Sequence, residues 1–152
     1  MLAGAGAWPE DALVTIIKKT SLWKKELDNH SGAIAEALEP LAKSGADLQL
    51  VMVYRFPDAR KGAIEVHPVS GRKLISIATS CGFVPSSIPV LLVEGDNRKG
   101  LGLKLTKALG DAGISVSFLM AQVIGSKYAA LLGFRNDDDA AKAAKLIRKA
   151  AR

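Results

Sequence analysis

Asp28-Asn29-His30-Ser31-Gly32 and Asp96-Asn97-Arg98-Lys99-Gly100 are one loop written twice, at an offset of 68 residues. The offset persists without a gap beyond the loop: Leu41 matches Leu109, Gly45 matches Gly113, and Leu48 matches Val116. Farther on, Lys61-Gly62-Ala63 aligns with Lys127-Tyr128-Ala129 at an offset shortened to 66. Self-similarity held in one register marks a duplicated structural unit.

Each copy reads element by element. A β-rich stretch beginning near Leu13 and running through Leu22–Leu27 predicts a strand ending at Asp28. Ile34, Leu38, Leu41, Ala42 and Gly45 then recur at helical spacing, with Gly45 as the stop and Pro40 predicting a kink. Leu101, Leu105, Ala108, Leu109 and Ala112, closed by Gly113, repeat that face. After each helix the period becomes two. Leu48, Leu50, Met52, Tyr54 and Phe56 share one strand face, and Val116, Phe118, Met120, Gln122 and Ile124 share its counterpart.

A second short strand follows near Ala63–Val66 and Ala129–Leu132. Second helices present Leu74, Ile77, Ala78 and Cys81 in one copy and Ala140, Ala143, Ala144 and Ile147 in the other. Asn136 is placed to cap the last helix, with Asp137–Asp139 on its positive end and Arg148 and Lys149 near its negative end. Val84–Ser87 reads as the junction between the halves. Ile88–Glu94 then closes the first sheet, opens the second, or does both.

The order is strand-helix-strand-strand-helix, twice. It predicts an α+β protein of two ferredoxin-like βαββαβ-type units, residues 13–86 and 87–152, packed as a pseudo-dimer. Units this small bury little core alone, and their sheet edges need cover, so the chain is expected to form a homodimer.

Composition narrows the function classes. The 152 residues are 49% hydrophobic and 24% charged, an ordinary globular mixture. The net charge of +6 is spread over scattered basic pairs and the last helix, which reads as a solvated surface. Cys81 is the single cysteine, so no internal disulfide forms and a cytoplasmic location is expected. The apolar start lacks a basic lead and runs into Pro9, Glu10 and Asp11, unlike a signal peptide. No apolar run approaches the roughly 20 residues that span a bilayer, so no membrane partner is expected.

The two stretches Glu26–Ala35 with Ser44–Leu48, and Glu94–Gly102 with Asp111–Ser115, resemble ACT domains. That family has a strand ending in Asp-Asn, a loop reaching a glycine, and a helix ending in Ala-Gly before the next strand. The likeness covers roughly residues 15–150 and points to small stand-alone proteins of two ACT domains. It implies a ferredoxin-like regulatory module that binds an amino acid or related metabolite, works with a regulated enzyme partner, and performs no catalysis. Ser31 and Lys99 stand where the family commonly has proline before the loop glycine.

The resemblance and the residue chemistry name the same site. A glycine at a helix entrance lets a ligand approach the backbone, and the unpartnered first amides favour a carboxylate. Asp28, Asn29, Ser31, Gly32 and Ala33 form the first candidate loop. Asp96, Asn97, Arg98, Lys99, Gly100, Leu101 and Gly102 form the second. An acidic or amide side chain there meets an ammonium group, and opposite charges one amino acid apart select a zwitterion. The second loop is favoured, because Gly100-Leu101-Gly102 is less bulky than Gly32-Ala33-Ile34 and Arg98 and Lys99 add positive charge. These side chains also serve as ordinary turn and cap residues.

Other chemistries lack their residues. His30 and His67 have no acid or cysteine at ligand spacing, so no metal is expected. No nucleophile triad and no complete phosphate loop appears, so neither a catalytic residue nor a cofactor is expected. Lys127–Phe134 is faintly like the basic-aromatic strand of an RNA-binding sheet. The matching first-copy strand offers Gly62, Ile64 and Val66 with no aromatic to stack on a base, which argues against nucleic acid. A protein-interaction subunit without a metabolite is the remaining alternative.

Overall fold

The computed structural model describes residues 15–57 and 60–152. In chain order the elements are β1 (Ile16–Thr20), β2 (Trp23–Asp28), α1 (Ala33–Lys43), β3 (Leu50–Arg55), β4 (Lys61–His67), α2 (Arg72–Ser80), β5 (Val84–Pro85), β6 (Val90–Asp96), α3 (Leu101–Asp111), β7 (Val116–Ile124), β8 (Lys127–Phe134) and α4 (Asp137–Ala150). Among these residues, Ser21–Ser86 form one compact unit, and 15–20 with Ser87–Arg152 form the other.

Both units carry a four-stranded antiparallel sheet, ordered β3-β4-β2-β5 and β1-β6-β8-β7. This is the ferredoxin-like order, reached by two routes. In the first unit the fourth strand is β5, only two residues long, inside the stretch read as a junction. In the second, no strand follows α4 among the described residues, and β1 takes that edge instead, with Ile16 opposite Glu94 and Thr20 opposite Val90. Residues 16–20 therefore leave the 13–86 unit to which the sequence reading assigned them. The β-rich stretch is two strands, broken at Ser21-Leu22. The strand read as Ile88–Glu94 opens the second sheet as β6, paired with β1 and β8.

The helices close much as their sequence signals direct. After α1, the Ala46 amide returns to the Leu41 carbonyl at 3.1 Å, and after α3 the Ile114 amide returns to Leu109 at 2.9 Å. The Asn136 side chain accepts from the Asp139 amide at 2.8 Å and caps α4. Helix α1 continues through Pro40 to Lys43, with the missing bond falling on the Glu36 carbonyl. The buried face of α1 is Ala33, Ala37 and Leu41; Ile34, placed on that face by periodicity, is 45% exposed.

The strand faces also need correction. In the first sheet Val51 and Val53 lie opposite Val66 and Ile64, which belong to the core beneath the helices. Leu50, Met52 and Tyr54 therefore point away from the helices. In the second, a β-bulge between Val116 and Phe118 splits the expected face. Val116 packs on the helix-side core, whereas the Phe118 ring occupies the other side, against Gly133. A bulge adds one residue and flips every later side chain.

On the outer face of the first sheet, Glu65 is 3% exposed, and its Oε1 accepts a 2.7 Å hydrogen bond from the Tyr54 hydroxyl. Burial, helped by that bond, pushes Tyr54 up to about 12. The folded state keeps this proton where an unfolded tyrosine loses it near pH 10. The stabilisation is thus complete below about pH 10 and is lost as pH rises toward about 12. An ultraviolet titration should show one tyrosine ionising late, and Glu65→Gln should bring it earlier. Tyr54→Phe leaves a buried carboxylate without this donor and should cost about 1–3 kcal/mol by urea denaturation. An unchanged midpoint would show that the bond carries no weight.

Candidate functional site

The duplicated loops fold alike. Strand β2 ends at Asp28, the Asn29 amide donates to the Arg60 carbonyl at 2.9 Å, and Gly32 enters α1 at φ +93°. In the second unit β6 ends at Asp96, the Asn97 amide donates to Ser126 at 2.8 Å, and Gly100 enters α3 at φ +78°. A left-handed residue at a helix entrance favours glycine, which explains both loop glycines without a ligand. A Cβ on Gly100 meets nothing within 4 Å, so backbone strain, not crowding by the protein, opposes a side chain there. Neither helix start has a side-chain cap; the Ala33 and Leu101 amides donate to the His30 and Arg98 carbonyls, and the next amides of each first turn remain for solvent or a ligand.

Each loop opens onto a pocket between its helix and the edge strand of its sheet. The first, about 290 Å³, is bounded by Asp28–Ile34, by Val53–Arg55 of β3, and by Gly62 and Ala63 of β4. All five residues predicted for this loop (Asp28, Asn29, Ser31, Gly32 and Ala33) line it. His30 joins them: its Nδ1 donates to the Ser31 carbonyl at 2.9 Å, and its Nε2 lies 3.6 Å from Glu36. Asp28 has no ion-pair partner among the described residues, because Lys61 across the strand pair reaches Glu26 instead, at 2.5 Å.

The second pocket, about 390 Å³, lies between α3 and β7 over β8. Of the seven residues predicted for its loop, Asn97, Leu101 and Gly102 line it; Asp96, Arg98, Lys99 and Gly100 do not. Asp96 is held by Lys127 at 2.5 Å, both about 30% exposed. Arg98 turns toward the end of α4 and donates to the carbonyls of Ala151 and Arg152, where the helix leaves acceptors unfilled. Two of the charges expected to serve this loop, Asp96 and Arg98, are therefore spent on the protein itself, and Lys99 lies outside the pocket lining.

Periodicity did not single out the pocket strands. Arg55, Gly62, Thr106, Leu119, Ala121 and Tyr128 were missed as lining residues, although the 68- and 66-residue offsets, carried through the strands, pair Arg55 with Val123, Val53 with Ala121 and Gly62 with Tyr128, all of which line a pocket. Burial raises the Tyr128 hydroxyl above its usual value, with the Thr15 hydroxyl and the Arg98 charge working the other way. Tyr128 and Phe134 are 7% and 0% exposed on the helix side, so the basic-aromatic strand presents no stacking surface. A third, polar hollow of about 470 Å³ at the far end of the first unit, bounded by 44–47, Gln49, Pro68 and 70–74, holds none of the predicted residues. Among the described residues no cluster of metal-ligating side chains occurs, and no helix is long and apolar enough to cross a membrane.

No family profile matches the sequence, and no curated protein does. Solved structures do match. Protein BT0572 from Bacteroides thetaiotaomicron aligns at TM-score 0.73 and 17% identity, over 88% of this chain and 89% of that one. The ligand-free regulatory subunit of aspartate kinase from Thermus thermophilus aligns at TM-score 0.60 and 13% identity, over 90% and 95%. The Thermus flavus regulatory subunit aligns at 0.58 and 12%, over 93% and 100%. At such identities the likeness is one of fold. The chain shares the fold of these regulatory subunits, two ferredoxin-like α+β units in one chain.

Proposed function

We propose that the chain is a non-catalytic, cytoplasmic regulatory module that binds an amino acid or related metabolite. It acts through ligand-linked assembly or docking to a regulated enzyme. The observation that carries this reading is the repetition, in both units, of an uncapped helix entrance opening onto a pocket of small-molecule size. The ligand carboxylate sits at the first-turn amides of the helix. The ammonium group is received by Asp28 in the first unit and, since Asp96 is engaged by Lys127, by Asn97 in the second.

A thermal-shift screen against the twenty amino acids tests the reading, because a ligand of the native state raises stability by mass action. If no amino acid shifts the transition while an RNA does, the module is an RNA binder. Asp28→Ala should weaken first-pocket binding on the order of 1.5–3 kcal/mol by calorimetry, through loss of a charge-assisted contact. Asp96→Ala should change second-pocket affinity less than this. Equal losses would show that Asp96 leaves Lys127 to meet the ligand.

Assembly belongs to the same proposal. Strands β3 and β7 are sheet edges, and β7 exposes Leu119, Val123 and Ile124 with no charged residue along its length. Such an edge is covered most economically by a second copy. A monomer in sedimentation at high concentration, with and without ligand, would overturn the homodimer.

A further inference from the structure

The loops are copies, but the pockets they open onto differ. Ile34, Val53 and Arg55 correspond to Gly102, Ala121 and Val123 at the 68-residue offset, and Gly62 to Tyr128 at 66. Strand pairing keeps these matches in register: Arg55 lies opposite Gly62 as Val123 lies opposite Tyr128, and Val53 opposite Ile64 as Ala121 opposite Ala130. Three of the four differences open the second pocket or remove charge from it, and Tyr128 in place of Gly62 adds a ring to its lining. Its space is opened where Gly102 replaces Ile34, since a Cβ on Gly102 meets nothing within 4 Å. Its charge is removed where Val123 replaces Arg55.

Among the described residues no charged side chain lines the second pocket, whereas Asp28 and Arg55 line the first, with the His30 imidazole beside them. Leu101 and Leu105 form one wall and Leu119 and Val123 the other, over Ala130 and Leu132. Asn97, Thr106 and Gln122 supply most of the polar groups. An ionised side chain in this cavity loses water and gains no counter-charge, whereas an aliphatic one gains by leaving water.

We propose that the second pocket selects an amino acid with an aliphatic side chain of about leucine size. Its backbone lies at Asn97 and the first turn of α3, and its side chain fills the space between α3 and β7. This rests on the amino-acid-binding reading and adds the ligand class and the unit that takes it.

Calorimetry on the full chain with L-leucine, L-alanine and L-aspartate tests the assignment. L-Leucine should bind at least a hundredfold more tightly than L-alanine, since each methylene buried in an apolar pocket is worth roughly tenfold. Gly102→Ile, which restores the first copy's residue, should weaken L-leucine at least tenfold. Ala121→Asp, on the opposite wall, should do the same, with circular dichroism unchanged. The two variants lie on different elements, so one that fails to fold leaves the other to decide. L-Leucine affinity that survives in the folded variants, or L-aspartate binding abolished by them, overturns the aliphatic assignment and leaves amino-acid binding standing. A protein that binds none of the twenty amino acids overturns both.

Discussion

Replacing Phe134 with alanine is expected to remove about 3–5 kcal/mol of unfolding free energy. Phe134 is fully buried at the end of β8, in the core shared by α3, α4 and β6. Its amide donates to the Pro89 carbonyl at 2.8 Å, and it pairs with Val116 at the start of β7. The strand ends are pinned by these backbone bonds, so the vacated volume cannot readily collapse. Aromatics make up only 5% of the chain, and the helix face of α4 opposite is largely alanine, which leaves few side chains able to refill the space. Urea denaturation measures the loss, and one below about 1 kcal/mol would show a core that repacks freely.

Gly62→Val is expected to cost about 3 kcal/mol, for a reason of close approach. A Cβ at Gly62 lies 2.5 Å from the Tyr54 carbonyl oxygen and 3.4 Å from the Arg55 Cα. Both obstacles are backbone, so the β3–β4 ladder must part. Gly133 gives the contrast: its added Cβ would overlap the Phe118 ring, a side chain that can swing aside. Gly133→Ala should therefore cost less than Gly62→Ala. Because Tyr54, Arg55 and Gly62 all border the first pocket, Gly62→Val should also weaken ligand there while sparing the second. Equal stability of Gly62→Val and the parent would show that the two strands are free to separate.

The fold was legible where a signal is local. The loop pair, the helix stops at Gly45 and Gly113, the Asn136 cap and the faces of α2 and α4 follow from short-range chemistry that any context preserves. What escaped depends on partners distant in sequence. Within 50–54 (Leu50-Val51-Met52-Val53-Tyr54) both parities are apolar, so the pattern cannot say whether Val51 or Met52 meets the helices; Ile64 and Val66 decide it. The Val116/Phe118 bulge defeats a strict period of two. Residues 16–20 carry a strand signal, but nothing in them names the sheet they join.

The candidate site divides the same way. The glycine-entered loops were readable, and the first brings all its predicted residues to one pocket. The charges of Asp96 and Arg98 were not readable as spent, because Lys127 and the end of α4 that claim them lie about 30 and 50 residues away. A pattern of residue types locates such groups. It does not reveal which of them the protein has already used.

The placement of β1 sets an order of events along the chain. Pairing β1 with β6 closes everything between Thr20 and Val90 into one loop, an entropic disadvantage of roughly 2–3 kcal/mol relative to a loop of a few residues. The first unit removes most of that disadvantage once it has folded, because its ends meet where the Ser86 amide donates to the Leu22 carbonyl at 2.7 Å. Seen as a path, the remaining gap is Ser21 on one side and Ser87–Pro89 on the other. The edge of the second sheet therefore assembles fastest on a first unit that is already native, and a substitution that delays the first unit slows the second without touching it.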